Sequence, residues 1–131
     1  MKLINILTFT LLIGISTMGQ SIPDGLVKAM KTGDAKNLSG FFHQSLEMTI
    51  LGKDYNSSKN QATRIMEDFF RNNKPTDFTI SFEGTKEKSK YAIGTLKTKD
   101  QAFRINLFFL IKGEEKLIYY ISIEKESEYE H

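Results

Sequence analysis

Cysteine is absent from the 131 residues. That excludes disulfides, iron–sulfur clusters, thiolate zinc sites and a cysteine nucleophile. It is compatible with an oxidising compartment but does not require one. Histidine is scarce: His43 and the terminal His131 are the two. They form no ligand pair at helical spacing, so no metal site is expected. Charge of one sign is lacking as well. The 18 Lys and Arg oppose 16 Asp and Glu; without Lys2 the balance is 17 to 16, or +1. Such a balance offers no electrostatic footprint for nucleic acid or an anionic membrane. No apolar run reaches bilayer length: the longest, Leu3–Ser16, is about 14 residues where a spanning helix needs roughly 20. Internal repeats and low-complexity segments are also absent.

What is present reads as one globular domain behind a leader. A hydrophobic fraction of 40% and a charged fraction of 26% suit a single domain with a sizeable core. Lys2, the apolar run and the small or polar stretch Ser16–Ser21 make the three parts of a secretory signal peptide. Residues 1–19 are expected to be removed after Gly19, leaving Gln20 first. The competing reading is a retained anchor helix, which the shortness of the run disfavours. With no cysteine after the run, a lipid anchor is unavailable. The mature protein is expected to be exported, periplasmic or secreted, with no stable membrane insertion.

Two strands, Ala102–Lys112 and Leu117–Glu124, form the most apolar hairpin of the chain, turning at Gly113–Lys116. Phe103, Ile105, Leu107, Phe109 and Ile111 share one face of the first strand; Arg104, Asn106, Phe108 and Leu110 share the other. In the second strand Leu117, Tyr119, Ile121 and Ile123 oppose Ile118, Tyr120, Ser122 and Glu124. The earlier chain supplies cover. Ile22–Thr32 is a helix opened by Pro23, and Gly33 is its left-handed cap. Asp34 caps a second helix, Ala35–His43, with Leu38, Phe41 and Phe42 on one face. Leu46, Met48 and Ile50 point inward from a short strand. A loop, Gly52–Asn56, leads to the capping box Ser58–Gln61. The helix Lys59–Asn73 follows, with Ala62, Ile65, Met66, Phe69 and Phe70 on one stripe. Asp77–Gly84 reads as a strand with Phe78, Ile80 and Phe82 on one face, and Lys90–Thr98 as a strand carrying Gly94. The charged tail, 126–131, is expected to fray.

Early helices and late antiparallel strands place the domain, residues 22–125, in the α+β class. Two short helices and a third pack on a curved antiparallel sheet of four to six strands. The order of elements resembles the nuclear transport factor 2-like, or cystatin-like, cone fold. Gly33-Asp34-Ala35-Lys36-Asn37-Leu38 is similar to the opening of many members. Ser58-Lys59-Asn60-Gln61-Ala62, Asp68-Phe69-Phe70, Lys90-Tyr91-Ala92-Ile93-Gly94 and Ile121-Ser122-Ile123-Glu124-Lys125 resemble an uncharacterised family of exported bacterial domains with that fold. These motifs are a cap, a helix face and a glycine in a strand. The resemblance implies fold and export and implies no activity.

No residue is assigned to catalysis, to a cofactor or to a metal. A candidate pocket in the cone comprises His43, Met48, Met66, Phe70, Tyr91 and Tyr119, suited to a small apolar ligand. A candidate interface comprises Arg104, Asn106, Phe108, Leu110, Ile118 and Tyr120 on the outer sheet face, which is too apolar for a solvated surface. That face is a candidate homodimer contact. Glu47, Glu83 and Glu124 are expected to alternate away from the core, so no inward acid is foreseen. The leading expectation is a non-catalytic binding domain. The alternatives are a small enzyme using His43 and a pocket Tyr for proton transfer, and an accessory domain with a filled core.

Overall fold

The computed structural model describes residues 22–87 and 89–126. The expected leader, 1–19, and tail residues 127–131 lie outside the described residues. Helix α1, Asp24–Thr32, follows Pro23 and ends at Gly33, whose φ of 72° is left-handed. Asp34 caps α2, Ala35–Leu38, by accepting from the Asn37 backbone N–H at 3.0 Å. A 3-10 turn, Ser39–Phe41, leads into β1, Phe42–Ile50. The hairpin partner β2, Lys53–Ser58, runs into α3, Lys59–Asn72. Four strands complete the chain: β3 Pro75–Lys86, β4 Ser89–Thr98, β5 Ala102–Lys112 and β6 Glu115–Lys125.

The six strands form one sheet in the order β2-β1-β6-β5-β4-β3. The sheet is mixed rather than wholly antiparallel, because β1 lies parallel to β6. The helices cover one face. Leu26 and Met30 of α1, Leu38 of α2 and Met66, Phe69 and Phe70 of α3 are buried with Leu46, Met48, Phe103, Ile105, Leu107, Phe109, Ile121 and Ile123 of the sheet in one cluster. The Phe69 ring meets Phe103 edge-on, with centroids 5.2 Å apart. The predicted capping box is present: Ser58 and Gln61 each satisfy the other's backbone N–H.

Several expectations are corrected. The second helix stops at Leu38, because Ser39 and Gly40 are poor helix formers and Phe42 pairs with Ile118 in the sheet. His43 is therefore a strand residue, one past the Phe42 cap of the 3-10 turn. Gly52–Asn56 is not a loop. Leu51 and Gly52, at φ 51° and 87°, make a tight turn that folds Lys53–Ser58 back on β1.

Two bulges change which face the side chains take. On β3, Ile80 pairs with Gly94 and Phe82 with Ile93, so Ser81 is an extra residue. Phe82 thereby turns away from the core and is 50% exposed. On β6, Tyr120 pairs with Phe108 and Ile118 with Phe109, so Tyr119 is the extra residue. Ile118 thereby turns inward and is fully buried.

Gly94 has a packing reason of its own. A Cβ there would stand 2.7 Å from the Phe78 ring and 2.8 Å from the Thr79 carbonyl oxygen. The ring can shift, but the backbone oxygen is held in the ladder. Gly94→Ala is expected to cost about 1–3 kcal/mol, the usual range for overpacking, read as a lower midpoint in urea unfolding. An unchanged midpoint would show that β3 yields at this point.

Candidate functional site

The face opposite the helices carries an aromatic ladder. The Phe82 and Tyr91 centroids are 5.8 Å apart, Tyr91 stacks on Phe108 at 5.7 Å, and Phe108 meets Tyr120 edge-on at 5.6 Å. The rings come from β3, β4, β5 and β6, one from each strand. Tyr119 adds a fifth ring, 6.3 Å from Phe108. Two features of the backbone build the ladder. The Ser81 bulge brings Phe82 to this face. Gly84 on the neighbouring strand leaves room for Tyr91, whose ring lies where a Cβ would be, 2.7 Å away.

Register orders this face into rows. Asn56, Glu47, Tyr120, Phe108, Tyr91 and Gly84 are successive partners across all six strands. Asp54, Thr49, Ser122, Asn106, Ile93 and Phe82 form the adjacent row. Polar tips are tied down locally. The Tyr120 hydroxyl donates to Thr49 Oγ1 at 3.2 Å, and Thr49 donates to Asp54 Oδ1 at 2.9 Å. The hydroxyls of Ser89 and Tyr119 lie 3.1 Å apart. A cleft of about 480 Å³ lies against Tyr91, Phe108, Leu110 and Tyr119, with Lys86 at its edge. Another of about 450 Å³ lies on the β1–β2 wing, walled by Glu47, Asp54, Asn56 and Tyr120.

The six candidate pocket residues do not come together. Met48, Met66 and Phe70 are buried between helices and sheet, within the core cluster. Tyr91 and Tyr119 belong to the outer face. His43 stands partly exposed on β1, and its Nδ1 accepts from the Ser45 backbone N–H at 3.4 Å. Among the described residues no hydrogen bond joins His43 to either tyrosine. Of the candidate interface, Arg104, Asn106, Phe108, Leu110 and Tyr120 share the outer face. Ile118 does not, because the bulge at Tyr119 turns it into the core.

One inward acid was missed. Beyond the Ser81 bulge, Glu83 pairs with Ala92 and faces the core side, where its Oε1 lies 3.3 Å from Lys90 Nζ. Alternation from Phe78 sends Glu83 the other way, and only the inserted residue reverses it. Among the described residues no group of three or more Asp, Glu, His or Cys is placed to hold a metal ion. No described helix is long and apolar enough to cross a membrane.

The three helices on a six-stranded mixed sheet are a nuclear transport factor 2-like α+β domain. The chain belongs to the domain family of unknown function DUF4783, which it matches over residues 23–124. A solved family member from Bacteroides ovatus ATCC 8483 is 34% identical, with a TM-score of 0.78 over 84% of this chain and all of that one. A second, from Bacteroides fragilis YCH46, is 32% identical, with a TM-score of 0.76 over 81% of this chain and all of that one. An NTF-2 like protein of unknown function from Silicibacter pomeroyi DSS-3 shares the fold alone, at 18% identity and a TM-score of 0.60 over 91% of this chain and 99% of that one. No curated protein matches.

Proposed function

We propose that this chain is an exported, non-catalytic interaction domain that docks a protein partner on its outer sheet face. The aromatic ladder is the observation that carries the reading. An antiparallel sheet with one solvated face normally alternates apolar-in and polar-out. Here Phe82, Tyr91, Phe108 and Tyr120 stay partly exposed in a continuous row of ring contacts. Aromatic residues concentrate at the centres of protein interfaces because they bury much area with few rotatable bonds. The inner side offers less: Met48, Met66 and Phe70 are each at most 5% exposed, as fits a filled core. Export rests on the signal-peptide pattern of residues 1–19.

Photocrosslinking tests the docking face. A photoreactive phenylalanine at position 108 would be compared with one at Arg64, on the exposed side of α3, in cells that export the chain with its own leader. The expected result is a discrete protein adduct from position 108 and none from position 64. Equal or absent adducts from both positions would overturn the reading.

A further inference from the structure

Two clefts on the outer face share a divide. The acidic one, about 450 Å³, is bounded by Glu47, Asp54, Asn56 and the Tyr120 ring. The aromatic one, about 480 Å³, is bounded by Tyr91, Phe108, Leu110 and Tyr119. Tyr120 walls the first and Phe108 the second, and these two rings meet edge-on at 5.6 Å.

The clefts differ in charge. Strand β1 holds no Lys or Arg, and Lys53, the one cation of β2, pairs with inward Ile50 and so alternates to the helix side. Glu47 and Asp54 are exposed diagonal neighbours on the two strands. Among the described residues no salt bridge engages either carboxylate. A metal ion would need more ligands than this wing supplies. Two carboxylates beside an aromatic ring suit an ammonium or a guanidinium, which pairs with the acids and stacks on the ring. The second cleft differs. Lys86 and Glu87 stand at its rim with opposite charges, and its walls are three rings and Leu110. It suits an uncharged apolar side chain.

We propose that the docked partner presents an extended segment in which a Lys or Arg stands three or four residues from an aromatic or long aliphatic residue. This rests on the docking reading above and adds the chemistry of the partner. The basic side chain enters the acidic cleft and the apolar one enters the aromatic cleft. The residues between them cross the Tyr120–Phe108 pair. The spacing follows from the sheet. The clefts are centred two to three strands apart, or about 10–14 Å at ~4.8 Å per strand. An extended chain covers that distance in three or four residues at ~3.3 Å each. A free small molecule in either cleft would leave the other's chemistry unused, whereas an extended segment reads both through anchors at fixed spacing. Partly exposed rings between the anchors are the kind of surface that shields such contacts from water.

A phage-displayed library of random twelve-residue peptides, selected on the purified chain, tests this. The enriched peptides are expected to share a Lys or Arg three or four residues from an aromatic or long aliphatic residue. Their synthetic copies should bind about tenfold more weakly to Phe108→Ala, and to the double change Glu47→Lys with Asp54→Lys. Copies with the basic residue replaced by Glu should regain binding on that doubly reversed variant. Circular dichroism of each variant confirms that it is folded. No enrichment, enriched peptides without the basic residue, or binding untouched by these changes would overturn the proposal. A position-108 adduct in cells alongside any of those results would leave the docking reading standing, and so would an adduct of twice the chain's mass, which would overturn the segment. Equal adducts at positions 108 and 64 would fail the docking reading whatever the library returns.

Discussion

Phe103→Ala is expected to lower the unfolding free energy by about 3–5 kcal/mol, a large part of the ~5–15 kcal/mol that holds a domain together. Phe103 is fully buried at the start of β5, beneath α3, with the Phe69 ring edge against it. Removing the ring forfeits its transfer from water and the edge contact, and leaves a space that a helix capped at Ser58 cannot easily close. Guanidinium unfolding checks this through a lower midpoint at an unchanged slope. A loss below about 1 kcal/mol would mean that α3 settles into the gap. The same change on the outer face, at Phe108, is expected to leave the midpoint nearly unmoved, because that ring is only partly covered.

The second large effect lies at the inward acid. Lys90 is 7% exposed and its Nζ faces Glu83, which is 33% exposed. Glu83→Ala leaves an ammonium held under cover with its partner gone, and is expected to cost about 2–4 kcal/mol. Lys90→Met is expected to behave differently. It replaces the stem with one of similar length, frees Glu83 to reach water and removes a buried charge. Its cost should lie within about 1 kcal/mol of zero, or the change should stabilise. Paired denaturation curves decide the matter. Equal losses from the two changes would mean that the pair contributes by its attraction rather than by mutual relief of burial.

The sequence made the periodic parts legible. The stripe Ala62, Met66, Phe69 and Phe70, the Gly33-Asp34 junction and the inward row Phe103–Phe109 follow from spacing and cap chemistry alone. The bulges were not legible, because period-two alternation carries no mark of an inserted residue. One extra residue at Ser81 moved Phe82 outward and Glu83 inward, and one at Tyr119 exchanged the faces of Leu117 and Ile118. Strand β2 was hidden by composition. Lys53, Asp54 and Asn56 have little strand propensity, and they pair because the tight turn at Leu51-Gly52 presents them to β1. The outer face was half legible. Phe108, Leu110 and Tyr120 follow from alternation along the hairpin, whereas Tyr91 sits in a strand that is apolar on both sides. Ala92 and Leu96 were signal enough to place Tyr91 opposite them, on the face where it lies.

The parallel pairing of β1 with β6 bears on how the chain reaches this state. Every other neighbour in the sheet is joined by a local hairpin, β1 to β2 and β3 through to β6. The first strand borders the last, with Glu47 beside Tyr120 and Ile50 beside Ile123. The two hairpin systems can form early, but they cannot join until the final strand exists. Synthesis therefore delivers a nearly complete polypeptide before the sheet can close, and the closing step brings together segments some seventy residues apart. Such non-local pairing slows folding far more than it lowers stability. A chain that crosses a membrane unfolded has use for that delay. Under the proposed export, this topology would hold the chain translocation-competent until the last strand arrives.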